Sequence, residues 1–471
     1  MFSFTSFFNK NSKCSQTENP KLCRELTKNL ERFKIDLQKL EAKKLPKTKF
    51  EQDFLNLKEK FLAYEVNIKK QYKNKKTLKI TNIFADLQKY YKSKFSRSDF
   101  DFAEFSKNVE YKQVGDKKYK IVAQIKDLKL SFVNPSDPGV RNIVIRNASI
   151  DFYEGQIHAI IGESGSGKSV ITACLYGLVG ENAVVESGEI KLFNNPVQNF
   201  DFRAWELSNF RGKIISAVFQ NPMSTLNPTK KIGPQIIEGM LLNKIVKTKK
   251  EAYEKALLYL KMTKIDNPEL VMKLYPHELS GGMIQRIVIS AILSLEPKII
   301  VMDEPTTALD TTVQSLVLDI IRDLQKRLKM TIIFITHDLG VVASLANYIT
   351  IMYAGQVVEE GTRDEILLNP KHPYTWGLIT SMPDVNKGDR LQSIRGVVPS
   401  SLNQIVGDAF AVRNDYALEQ DFFVEPDFYK ISPTHRVKSA LLDPKAPKII
   451  PPKIILEKWQ KFTKMKGENE K

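Results

Sequence analysis

At 471 residues the chain is long enough for two or three domains, and 42% hydrophobic with 27% charged residues is the composition of a folded protein rather than a disordered chain. Three cysteines, Cys14, Cys23 and Cys174, odd in number and scattered, support neither a disulfide framework nor a zinc site and point to a reducing compartment. The net charge of +17 is concentrated in residues 1–110, which hold 25 Lys or Arg against 14 Asp or Glu; a basic face of this kind suits nucleic acid or an anionic membrane surface, or is simply a solvated Lys-rich surface.

The N-terminal run Met1 to Phe8 is apolar but has no basic residue ahead of it and no small-residue cleavage site, so it does not read as a secretion signal. Further on, Leu22, Leu26, Leu30, Phe33, Leu37 and Leu40, then Phe54, Leu57, Phe61 and Tyr64 after Pro46, recur at spacings of three and four. That periodicity predicts two amphipathic helices, most simply a hairpin packed on itself, within a basic helical extension over 1–115. From Lys118 the texture changes. Lys120 to Phe132 alternates as a strand does, and Asn134-Pro135-Ser136-Asp137-Pro138-Gly139 marks a turn.

Gln156 to Ile161 predicts a strand, Ser169 to Leu178 a helix, and Lys298 to Met302 and Thr331 to Thr336 two more strands, which together predict an α/β domain over 118–385. Between about 222 and 297 the pattern is nearly all helical, so a helical subdomain is expected to be inserted there. No apolar run approaches the roughly 18 to 20 residues needed to cross a bilayer; the best, Ile287 to Leu295, is closed by Arg286 and by Glu296, Pro297 and Lys298. Periodicity weakens beyond about Pro383, giving an irregular region over 386–443 and a Pro- and Lys-rich tail over 444–471.

Three segments carry chemistry. Gly162-Glu163-Ser164-Gly165-Ser166-Gly167-Lys168-Ser169, followed by Val170, fits G-x-x-x-x-G-K-[ST] and lies between a predicted strand and a predicted helix, the context that gives the pattern meaning. Glycines let the backbone curl so that N–H groups face the phosphates with the positive end of a helix behind them; Lys168 adds a charge and Ser169 a hydroxyl for Mg²⁺. Next, Ile299-Ile300-Val301-Met302-Asp303-Glu304 is an apolar strand ending in two acids: Asp303 suits the metal, and Glu304 suits the attacking water as general base. The third segment, Leu279-Ser280-Gly281-Gly282-Met283, resembles the signature of the ABC transporter family, which generic P-loop enzymes lack.

That resemblance implies an ABC-type P-loop nucleotide-binding domain that binds and hydrolyses ATP with Mg²⁺. In the family, two cassettes sandwich two nucleotides, so Leu279 to Met283 would cap the γ-phosphate held by another cassette. Gln220, in Ala217-Val218-Phe219-Gln220, matches the loop that senses Mg²⁺ and the γ-phosphate; Asp310, in Ala308-Leu309-Asp310, matches the loop crossing the dimer interface. His337 matches the switch histidine, and Phe132 is the expected adenine-stacking aromatic, with an ordinary core residue as the alternative.

Phe219 to Pro228, Tyr275 to Met283, Glu304 to Asp310 and His372-Pro373-Tyr374-Thr375 are similar to the oligopeptide and dipeptide permease ATPases, and Met223, Thr306, Thr307 and the Leu279–Met283 form of the signature look like their D-type subunit. The resemblance implies a second ATPase subunit in a heterodimer, two transmembrane permeases, an extracytoplasmic substrate-binding protein acting indirectly, and a peripheral place on the cytoplasmic face of the membrane. Two departures stand out. Asp408, Asn414, Asp421 and Ser439 occupy places where many relatives have cysteines, so no iron-sulfur cluster is expected; Ile284 replaces an Arg frequent beside the signature. The alternative from another class is a soluble ABC ATPase acting on nucleic acid or ribosomes through the basic N-terminal helices; a single cassette makes nucleic acid the less expected partner.

Overall fold

In a computed structural model, residues 102–114, 117–134, 137–180, 182–200, 202–208, 210–307, 309–382, 394–399 and 405–469 are described, with residues 28, 32, 36 and 56. The chain divides into two compact units, 1–99 and 100–471. In the first, Lys28, Arg32, Asp36 and Asn56 are helical; the apolar stripes predicted for the two N-terminal helices lie outside the described residues.

The second unit is built on two sheets. Strands β1 (Tyr111–Val114), β2 (Lys117–Asn134), β3 (Asp137–Tyr153), β5 (Ala183–Leu192) and β6 (Asn195–Pro196) form an antiparallel sheet, with β3 and β5 flanking β2. The other sheet runs β12-β13-β11-β10-β4-β9-β8-β7, using β4 (Ile157–Ile161), β7 (Ile215–Val218), β8 (Ile299–Asp303), β9 (Thr331–Thr336), β10 (Tyr348–Tyr353), β11 (Gln356–Thr362), β12 (Phe428–Lys430) and β13 (Arg436–Lys438). From β10 to β7 the pairing is parallel; β11, β13 and β12 extend it antiparallel.

The continuous apolar runs of the parallel strands are explained by burial on both faces. Alternate residues go to opposite sides: Ile300 and Met302 of β8, with Ile332 and Phe334 of β9, face the helices between β7 and β8. Ile299, Val301, Ile333 and Ile335 face the helix Lys168–Tyr176 and the antiparallel sheet. Between Val218 and Ile299 the described structure is helical, with helices Ile232–Leu242, Lys249–Met262, Pro268–Val271 and Gly281–Leu293. A capping box closes one of them, Thr248 accepting from Glu251 N–H and the Glu251 carboxylate from Thr248 N–H.

Two sequence expectations change. Residues 102–114, assigned to the N-terminal extension, join the second unit because Phe102 and Phe105 pack on Phe193, and Phe105 on Phe210, at centroid distances of 4.8–5.8 Å. The expected tail contains a helix, Lys453–Asn469, docked by the fully buried Ile455 and by Trp459, whose Nε1–H donates to Pro370 O at 2.9 Å. Its lysines and the prolines before it masked an amphipathic pattern, Ile455, Trp459 and Phe462. Among the described residues no helix is long and apolar enough to cross a membrane.

Candidate functional site

Strand register gathers the chemical residues. Ile161 of β4 pairs with Thr336 of β9, and Asp303 of β8 with Ile335 of β9, so the C-terminal ends of three parallel strands lie side by side. The P-loop leaves β4 there, Glu304 follows β8 and His337 follows β9; Gln220 comes two residues after β7, whose Val218 pairs with Met302. Open α/β sheets place ligands at this edge.

Within the P-loop, Gly165 and Gly167 have φ of 80° and 93°, values that a side chain would strain. The curl this permits brings Lys168 Nζ to Gly162 O and Glu163 O, both at 2.9 Å. Burial lowers the Lys168 pKa, while Glu304, Asp303 and Glu163 work to keep its proton. Ser164 and Gly165 are exposed; Ser166 is buried, its Oγ without a hydrogen-bond partner among the described residues. Val170 is half-buried in the P-loop helix.

Ser169 Oγ donates to Asp303 Oδ1 at 3.1 Å. Burial raises the Asp303 pKa, with the Ser169 hydrogen bond opposing it. Glu304 has φ 44°, an uncommon left-handed conformation for a non-glycine residue and a local strain of about 1 kcal/mol. Three side chains surround its carboxylate: Gln220 Nε2 at 3.2 Å, Thr307 Oγ1 at 3.0 Å and His337 Nδ1 at 3.3 Å. Thr307 had no role assigned from sequence, although its place three residues after the acid is the signal that would have found it.

The signature lies apart. Among the described residues no hydrogen bond or ion pair joins Leu279–Met283 to the P-loop; Ser280 instead caps the helix Gly281–Leu293 by accepting from Met283 N–H at 3.3 Å. Asp310 likewise caps Thr311–Leu328, accepting from Val313 N–H at 2.9 Å. A Cβ on Gly282 would come within 2.5 Å of Val313 Cγ1, so the signature helix and the Asp310 helix touch closely where only glycine fits. Phe132 is half-buried in β2, packed against the apolar cluster that includes the P-loop helix.

Of the four residues read against a cysteine pattern in the C-terminal region, three, Asp408, Asn414 and Asp421, turn to the backbone. Asp408 Oδ1 accepts from Phe410 N–H at 3.0 Å, Asn414 Oδ1 from Tyr416 N–H at 3.0 Å, and Asp421 Oδ2 from Leu418 N–H at 2.8 Å. These are turn-forming contacts of short polar side chains.

Comparison with known proteins gives the family. Residues 145–307 match the family model described as ABC transporter, and residues 358–420 match the one described as oligopeptide/dipeptide transporter, C-terminal region. The chain is 47% identical over 325 residues to the dipeptide transport ATP-binding protein DppD of Lactococcus lactis, covering 69% of this chain and 93% of that protein. It is 45% identical over 342 residues to the oligopeptide transport ATP-binding protein OppD of Bacillus subtilis, covering 72% and 94%. Among solved structures, cbiO1 of Clostridium perfringens, described as part of the ABC transporter complex cbiONQ, aligns at 26% identity and a TM-score of 0.45, covering 53% of this chain and 91% of that one.

Proposed function

We propose that this chain, which belongs to the ATP-binding proteins of the oligopeptide and dipeptide ABC transporters, does its phosphate chemistry at Glu304 as one half of a two-cassette motor. It binds and hydrolyses ATP, and as the ATP-binding subunit of an ABC importer it powers peptide uptake. What carries the reading of the site is the three-sided hold on the Glu304 carboxylate by Gln220, Thr307 and His337, beside the Ser169–Asp303 pair.

In this reading the P-loop N–H groups and Lys168 bind the β- and γ-phosphates. Ser169, Asp303 and the Gln220 amide oxygen offer the hard oxygen donors that Mg²⁺ prefers, and Gln220 Nε2 is already turned to Glu304. Mg²⁺ bound there supplies positive charge against the phosphate oxygens. Glu304 accepts the proton of the attacking water as its oxygen bonds to the γ-phosphorus and the bond to ADP breaks, while His337 orients Glu304 and offers its second ring nitrogen to the γ-phosphate.

Leu279, Ser280, Gly281, Gly282 and Met283 cap the nucleotide of a second ATPase subunit, with Asp310 at the shared face. Two permease subunits carry the peptide, supplied by an extracytoplasmic binding protein, and the chain sits on the cytoplasmic face of the membrane. The assigned cassette is 118–385, with its helical subdomain over 222–297 and an oligopeptide-type C-terminal region over 386–443. Lys168→Ala should lose ATP binding and lower turnover by about 100-fold or more. Turnover near the parent level in that variant contradicts the site; recovery of the chain with ribosomes rather than hydrophobic permeases contradicts the transport role.

A further inference from the structure

Every polar group of Glu163 in the P-loop is held, and two of the partners, Tyr374 and Arg413, lie in the stretch 358–420 that matches the oligopeptide/dipeptide transporter C-terminal region. Its carbonyl accepts from Lys168 Nζ at 2.9 Å and from Ser166 N–H at 3.2 Å, while its N–H donates to the Tyr374 hydroxyl at 2.9 Å. Its carboxylate takes Arg413 Nη1 on both oxygens, at 3.0 and 3.2 Å. Arg413 reaches this point across 250 residues of sequence and is almost wholly buried, its side chain 6% exposed.

Arg413 is itself well fixed. Its Nε–H donates to Arg395 O at 2.7 Å, and its Nη1 also lies 3.2 Å from the Tyr353 hydroxyl. Tyr353, Tyr374 and Phe410, all buried, meet as three rings with centroids 4.8–5.3 Å apart. This aromatic knot joins the end of β10, the helix Pro373–Thr380 and the segment that carries Arg413. The guanidinium and the hydroxyl that touch the P-loop are therefore both mounted on a rigid support.

A carboxylate inside a loop that receives a triphosphate is a like charge close to the ligand, and a buried guanidinium on it removes that repulsion while fixing the loop's first turn. We propose that Arg413 and Tyr374 are positioning residues of the phosphate-binding loop, through which the C-terminal region sets how tightly that loop holds ATP. The proposal rests on the ATP-binding reading above, and it concerns affinity, because neither residue touches the Glu304 end of the site.

The test is steady-state ATP hydrolysis by the full chain in its complex. Arg413→Ala should raise KM for ATP about tenfold with kcat within about twofold, the scale of losing one charge-assisted hydrogen bond pair. Arg413→Lys, which keeps the charge but not the fork, should fall between. In a Glu163→Gln background the Arg413→Ala effect on KM should vanish, because the like charge is already gone. Tyr374→Phe keeps the ring packing and should raise KM about two- to threefold, so the proposal stays open to test if Arg413→Ala folds poorly. Unchanged KM in Arg413→Ala and Tyr374→Phe, or the same KM increase with and without Glu163→Gln, overturns the clamp while leaving the ATPase site standing; loss of the site reading itself is registered separately by Lys168→Ala.

Discussion

The carboxylates at the nucleotide edge and those on and just after β11, Glu359 and Glu365, are treated differently. Asp303 is pushed upward in pKa by burial and has one hydroxyl partner in Ser169, while Glu304 is held by three donors at 3.0–3.3 Å in a strained backbone. Glu359, by contrast, is fully buried, and it accepts from Lys371 N–H at 2.7 Å, His372 N–H at 3.2 Å and His435 Nε2 at 2.8 Å. Burial would raise the pKa of Glu365, but Ser432, Thr434 and Thr362 outweigh it and hold it below its ordinary value. Asp303 keeps free lone pairs and Glu304 a strained backbone, whereas Glu359 and Glu365 have both carboxylate oxygens engaged in a buried setting.

That contrast can be broken most forcefully at Glu359. Glu359→Ala leaves two backbone N–H groups and the His435 ring without their acceptor in a dry site and should cost about 3 kcal/mol or more in unfolding free energy. Glu304→Gln should change it by less than about 0.5 kcal/mol. Equal losses in denaturant titrations of the two variants would erase the distinction.

A smaller effect is set by pH. His372 Nδ1 accepts from Tyr374 N–H at 3.0 Å, and burial lowers the His372 pKa against the pull of Asp408 and Glu359. The unfolded chain takes up a proton near the ordinary value of about 6.5 that the native ring refuses, so this stability is complete above that pH and declines as pH falls, by at most about 1.4 kcal/mol per unit. His158, pulled down to about 3 by burial, adds a slope of the same sign. The informative quantity is therefore a difference: His372→Asn should flatten the stability profile between about pH 6.5 and 5 relative to the parent, and identical slopes would remove His372 from the account.

The same contrast explains what could be read from the sequence. Gly162 to Ser169, Asp303 to Glu304 and Leu279 to Met283 are local patterns, because phosphate cradles and strand-end acids need fixed spacings along the chain. The alternation of strands and helices from Gln156 to Thr336 was legible through apolar period and length. Arg413 on Glu163 was not, since no spacing rule links residues 250 apart, and neither was the Glu359–His435 pair. The helix Lys453–Asn469 was lost for a different reason: its lysines dominate the composition while Ile455 and Trp459 do the docking.

Glu304→Gln tests the central claim most directly. The variant complex, given ATP and Mg²⁺, should bind ATP as the parent does, turn over about 100-fold or more slowly, and hold two cassettes together as a dimer resolved by size; turnover at the parent rate would contradict the assignment of Glu304 as the base.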